Sequence, residues 1–330
     1  MPPVARVRKL VLAFAGALVC AFAAAPAARA GDWLAVKNEN PLLRGLYLPM
    51  PVVSRLGDPA AAAAALGIAN TTNIQAHGSE RLLMDGEAAV LHLSYDTRVA
   101  ERWRMRLSLP LVEDSAGRLD SIIDRWHGWF SLPRGSRRFR PCNQLDYDYQ
   151  GVSRLSLTRA HTGIGDAAVE AGWYAVEDAR RELAFWGGLE APTGSARELT
   201  GDDAWDASLW VHAGWYRARW RFGAEAGVLQ AFGDELFGGK ARRTAAFGRA
   251  MAGRTLGSDW LLQVQLEAQS ARIHDTGLRF LGPSLLGSAG LMRRIGRRWE
   301  IQGGFAEDLA ANTAPDFTLF LGVRRLAGLP

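Results

Sequence analysis

The sequence predicts an all-β fold: a closed antiparallel up-and-down transmembrane barrel of about 12 strands, with one long, partly helical extracellular loop. Three observations predict it. Apolar and polar residues alternate with period two over stretches of about 10 to 12 residues, longer than the usual 5 or 6. The connections between these stretches alternate between short and long, and Trp gathers near stretch ends. The composition agrees by exclusion. With 48% hydrophobic and 22% charged residues the chain is not disordered, and its 36 Gly follow no triplet period. Beyond the N-terminal stretch no apolar run reaches the roughly 18 to 20 residues of a membrane helix.

Residues 1–30 run from Arg6, Arg8 and Lys9 through an apolar stretch, Leu10 to Ala25, to the small-residue site Ala28, Arg29, Ala30. This is the pattern of a secretory signal peptide cleaved before Gly31. A retained membrane anchor is the alternative, disfavoured by the short apolar run. A lipoprotein at Cys20 is disfavoured by Val19, where a small residue is wanted. The four basic residues Arg6, Arg8, Lys9 and Arg29 leave with the signal, so 39 basic residues become 35 against 34 acidic. The basicity belongs to the export signal, and nucleic acid is not an expected partner. The remaining Cys142 can make no internal disulfide, and no second thiol or His pair offers it a metal, so no cofactor is expected.

Residues 31–66 contain Asn40-Pro41 and Leu48-Pro49-Met50-Pro51, which disfavour a central strand. A periplasmic lead-in, a lumen plug and a flexible tail all remain open.

The barrel is expected over 67–330. Its clearest strand sets Trp260, Leu262, Val264, Leu266 and Ala268 against Leu261, Gln263, Gln265, Glu267 and Gln269. Similar stretches lie near 67–76, 85–97, 101–112, 164–176, 181–192, 204–216, 218–231, 244–255, 259–271, 282–294, 298–309 and 316–326. An even count suits a closed barrel. Short connections fall near 98–100, 177–180, 217, 256–258 and 295–297, and long ones near 77–84, 113–163, 193–203, 232–243, 272–281 and 310–315. That alternation implies short periplasmic turns, longer extracellular loops and both termini in the periplasm. A soluble β-sandwich is the alternative, since half-buried strands alternate in the same way. Strand length, a charged inner face and the girdle positions of Trp103, Trp173, Trp205, Trp215, Trp220, Trp260 and Trp299 favour the barrel.

If the apolar phase faces lipid, the other phase lines the lumen. Arg102, Arg104, Arg106, Arg219, Arg221, Glu225, Glu267, Arg298, Glu300 and Arg324 are then the candidate lumen and selectivity residues, with Gln263 and Gln265 beside them. Mutual neutralisation in a narrow barrel is the plainer expectation; twelve strands fall between packed eight-stranded barrels and open channels of about 16.

The 113–163 connection is far longer than usual. Leu119, Ile122, Ile123, Trp126 and Phe130, spaced by three and four after Asp120, predict a short amphipathic helix that ends before Pro133 and Gly135. It could plug the mouth, lie on the membrane or cap its own barrel. The motif residues here are Asp120, Trp126, His127, Phe130 and Arg137.

The chain resembles domain-of-unknown-function family 3187 of Gram-negative bacteria. Leu82, Asp85-Gly86-Glu87, Leu109-Pro110, Gly117, Leu119-Asp120, Ile123, Trp126-His127, Phe130, Leu132-Pro133, Gly135, Arg137, Tyr147, Tyr149, Gly163, Gly165-Asp166 and Pro192-Thr193-Gly194 carry the resemblance. It implies an outer-membrane barrel and no known activity.

Catalysis has one weak candidate. His92 and Ser94 have the His-x-Ser spacing of outer-membrane phospholipases, with Asp96 on the same face, but that face is the predicted lumen rather than the lipid side. His77 and Ser79 repeat the spacing in a loop, and His127 near Asp124 lacks a defined partner. No Gly-x-Ser-x-Gly, phosphate-loop or His-Glu-x-x-His motif occurs. The expected function is therefore non-enzymatic: a passive outer-membrane channel or transporter for a small solute, gated or plugged by 113–163. The alternatives are a structural or surface-interaction barrel with a filled lumen and a barrel-borne esterase or lipase. The expected partners are outer-membrane lipid, lipopolysaccharide and the assembly machinery.

Overall fold

The computed structural model describes residues 33–130, 139–233 and 236–327. The expected export signal, residues 1–30, and Arg137 lie outside the described residues, as do the side chains of Trp126, His127 and Phe130.

Twelve antiparallel strands close into a barrel. They are β1 (Ala61–His77), β2 (Glu80–Ala100), β3 (Trp103–Ser115), β7 (Ala167–Glu177), β8 (Arg181–Ala191), β9 (Asp206–Arg217), β10 (Trp220–Ala231), β11 (Thr244–Leu256), β12 (Trp260–Gln269), β13 (Ser284–Ile295), β14 (Trp299–Asp308) and β15 (Phe317–Leu326). Each pairs with its neighbour, and β1 pairs with β15 from Ala61↔Leu326 to Asn70↔Phe317, which closes the wall. Between β3 and β7 come helix α1 (Asp120–Phe130) and the short strands β4 (Asp146–Gln150), β5 (Arg154–Leu157) and β6 (His161–Ile164).

Period-two alternation becomes two environments. On β12, Trp260, Val264 and Leu266 are exposed outward while Leu261, Gln263, Gln265 and Glu267 are buried inward. Leu107, Leu189, Leu209, Val228 and Leu321 continue the exposed apolar belt around the wall. A sandwich would bury that face; here it is the outside. All seven expected girdle tryptophans are exposed.

Two expectations about the first hairpin need correction. The connection expected at 77–84 is a tight turn at Gly78-Ser79, with Gly78 at φ 57°, a left-handed conformation suited to Gly. Strands β1 and β2 run on past it, at 17 and 21 residues. β1 also begins at Ala61 rather than near 67, because its Ala run shows no polar-apolar contrast for a period to reveal.

The 113–163 stretch is likewise no single loop. Its ends extend the wall, since β4 pairs with the top of β2 and β6 with the top of β3. The part carrying α1 crosses the outer face. Glu87, on the outward phase of β2, accepts from the Leu119 N–H at 3.0 Å, and Asp120 accepts from Asn70 Nδ2 at 2.9 Å on the outward phase of β1. The wall's outer surface and Ile123, which is buried, together hold the helix.

Candidate functional site

The lumen is occupied by residues 33–59, which pair with no strand of the wall. This strap runs toward the long-loop end, turns near Asn40 and returns to the short-turn end, where β1 begins. Asn side chains make the turn locally: Asn38 Oδ1 accepts from the Asn40 N–H and Asn40 Oδ1 from the Leu42 N–H, each at 3.0 Å. Lys37 Nζ ties the two limbs together through the Leu48 carbonyl at 2.9 Å.

The wall grips the strap largely by its backbone. On one limb the Ala35 N–H donates to Gln302 Oε1 at 3.0 Å and the Asn38 N–H to Glu267 Oε1 at 2.8 Å. On the other, the N–H groups of Tyr47 and Val52 reach Asp206 and Glu225 at 3.1 and 2.8 Å. Arginines take the carbonyls: Arg249 that of Pro49 at 2.5 Å, Arg106 those of Met50 and Pro51 at 2.9 Å each, and Arg104 that of Asp58 at 2.7 Å. Buried carboxylates thus meet donors and buried guanidiniums meet acceptors, which answers the desolvation cost of both.

The same groups pair with one another across the strands. Arg104 pairs with Asp96; Arg106 Nε lies 2.6 Å from Glu170; Arg249 bridges Glu225 and Glu267, both at 2.8 Å; Arg324 lies 3.1 Å from Glu300. His212 stands between Glu182 and Glu225, 3.0 Å from each. Breaking one member of such a buried set strands the other.

At the long-loop end an apolar cluster covers the strap's turn. Leu42 and Leu43 pack with Tyr147, Tyr149, Leu199, Phe237, Ile273 and Phe280, drawn from β4 and from three connections. Arg44 anchors the edge on Asp114 at 3.0 Å. Below it, beside the strap, remains a cavity of about 50 Å³ lined by Ala63, His92, Ser94, Arg106, Gln302 and Arg324, among others.

The sequence-derived lumen set divides by position. Arg104, Arg106, Arg221, Glu225, Glu267, Glu300 and Arg324 are buried on the inner phase, and Gln263 and Gln265 lie with them. Arg102, Arg219 and Arg298 are not in the lumen. They sit in short turns because β3, β10 and β14 begin one residue later, so the alternation was carried one step past the strand end. Asp96, expected on the lumen face beside Ser94, is buried there, and Glu170, Glu182, His212 and Arg249 join it without having been singled out. Their signal was present in the phase, but Trp186 and Trp210 also face inward and blur the contrast on β8 and β9. His92 and Ser94 do share the lumen face; the His92 ring is engaged 2.7 Å from Glu39 of the strap. Asp120 is placed on the outer face, as described above.

A family model described as a protein of unknown function, DUF3187, matches residues 10–325. The chain belongs to the DUF3187 family. No curated protein matches it. Among solved structures, this DUF3187 barrel is similar to the COG4313 outer membrane channel from Pseudomonas putida F1, with 15% identity and a TM-score of 0.57 over 86% of this chain and 98% of that one. Weaker likenesses are to the KdgM porin (8% identity, TM-score 0.44, 81% of this chain and 99% of that one) and to the NanC porin (7%, 0.45, 82% and 100%). The likeness to the COG4313 channel is one of fold: this DUF3187 chain adopts the fold of an outer-membrane β-barrel.

Proposed function

We propose that the protein is a passive outer-membrane channel for small solutes, held closed by the 33–59 strap. The long-loop end would face the cell exterior, with both chain ends in the periplasm. The observation that carries this reading is that a closed barrel with a charged inner face is filled by an irregular segment outside its hydrogen-bonded wall. Side-chain contacts to a backbone can be exchanged for water or solute without unzipping a strand pair. The cavity beside the strap, between Arg106, Arg324 and the small residues of β1, is where a solute would first find room. The 113–163 stretch, whose helix α1 crosses the outer face and whose strands β4 and β6 extend the wall, is assigned no gating role.

A filled lumen also favours a second reading, a permanently closed barrel serving the envelope or a surface partner. Proteoliposome swelling in small sugars and amino acids separates the two. Arg44→Ala, which frees the strap's turn from Asp114, should swell faster than the parent chain; equal rates favour the closed barrel. The esterase alternative requires hydrolysis that vanishes in Ser94→Ala.

A further inference from the structure

Three girdle tryptophans each carry an arginine laid over the indole. Trp220, Trp260 and Trp299 are the first residues of β10, β12 and β14, and the residues directly opposite on the next strand are Arg254, Arg293 and Arg325. In each pair the guanidinium carbon lies over the ring, 5.2, 5.1 and 5.7 Å from its centroid, within the range of a cation–π contact. All six side chains are on the outward phase at the short-turn end, and the indoles are 46%, 40% and 44% exposed. Among the described residues, none of these three guanidiniums has a carboxylate or hydrogen-bond partner. The contrast is β8 with β9, where Arg181 stands opposite Trp215 but turns to Asp178 at 3.0 Å.

An arginine at the level of an aromatic girdle borders hydrocarbon, where water supplies fewer acceptors. Stacking fixes the guanidinium plane and leaves its N–H edge free, a geometry suited to two oxygens of a phosphate diester. The rim beside these pairs is net positive, with Arg217, Arg297 and Arg298 exposed against the exposed acid Asp259. We propose that the three Arg-over-Trp pairs form a half-collar, from β10 to β15, that binds the headgroup phosphates of anionic phospholipids in the leaflet at the short-turn end. The site does not depend on whether the lumen conducts.

Native mass spectrometry of the detergent-solubilised mature chain, titrated with phosphatidylglycerol or phosphatidylcholine, tests it. The expected result is up to three phosphatidylglycerol molecules retained, with at least tenfold weaker retention in Arg254→Gln/Arg293→Gln/Arg325→Gln. The corresponding triple Lys variant, which keeps the charge but not the planar fork, should fall between. Retention by the Gln variant equal to the parent's overturns the proposal, as does parent retention of phosphatidylcholine as tight as that of phosphatidylglycerol. Barrel folding is checked by heat-modifiable gel migration. If the triple variant does not fold, each single Gln variant should lose one retained lipid, and unchanged stoichiometry in all three overturns the proposal equally.

Discussion

Arg249 donates to the Pro49 carbonyl at 2.5 Å while its other nitrogens lie 2.8 Å from Glu225 and Glu267. One guanidinium thus joins three wall strands and the strap. Arg249→Met would leave buried Glu267 without its cation and Glu225 with His212 alone, at a cost of about 3–5 kcal/mol. Denaturant unfolding from lipid vesicles should show a correspondingly lower midpoint. A loss below about 1 kcal/mol, the range of an exposed pair, would mean the network is not what secures this side of the barrel.

Gly188 admits the strap. A Cβ there would meet the Tyr47 hydroxyl at 2.2 Å, and that hydroxyl now donates to Glu170 at 2.8 Å. Gly188→Val should push Tyr47 out of its seat and raise ion leak while the wall still folds. Leak equal to the parent's in a folded Gly188→Val barrel would count against Tyr47 as a strap anchor.

Asp202 gives the strap's turn a pH dependence. It lies in the 192–205 connection, accepts from the Ala204 N–H at 3.0 Å and lies 3.4 Å from Arg272, while its backbone leaves room for Gly45 and no larger residue. Burial pushes its carboxyl up to about 6, with Asp166 adding to the rise and Arg272 opposing it. A raised carboxyl favours the folded state when protonated. Its stabilising contribution is therefore complete below about pH 4, its ordinary range, and is lost as pH rises through about 6. Hydrogen exchange across 192–205, corrected for intrinsic rates, should show greater protection at pH 4.5 than at 7.5. Asp202→Asn should flatten the difference, and an unaltered profile in that variant would assign the effect elsewhere.

Cys142 is exposed, and the chain's other cysteine, Cys20, lies within the expected export signal. Cys142 lies on the outer surface at the long-loop end, where the neighbouring Asn143 N–H donates to Asp120 at 2.7 Å. A membrane-impermeant maleimide should label it on intact cells. Labelling only after the outer membrane is opened would invert the proposed orientation.

The wall was legible in the sequence wherever its two faces differ in chemistry. Trp260 to Gln269 announces itself because lipid-side and lumen-side residues are of different kinds, whereas Ala61 to Ala65 stays silent because Ala serves both sides. Charged lumen residues followed from phase alone, and Arg102, Arg219 and Arg298 failed only where the strand ended. The strap's place is not legible in its sequence for a deeper reason. Its partners, such as Glu267 for Asn38, Glu225 for Val52 and Arg106 for Pro51, are scattered over distant strands and bind mostly its backbone, so its own side chains carry little periodic trace. The Arg-over-Trp pairs were invisible for a similar reason, since register rather than composition brings Trp260 opposite Arg293.

The central claim is that residues 33–59 close the lumen. Single-channel conductance in a planar bilayer tests it most directly, comparing the mature chain with a variant lacking 33–58, both first shown by heat-modifiable migration to be folded barrels. The account predicts a silent parent, or one with rare brief openings, and steady current through the deletion variant. A folded deletion variant as silent as its parent would contradict it.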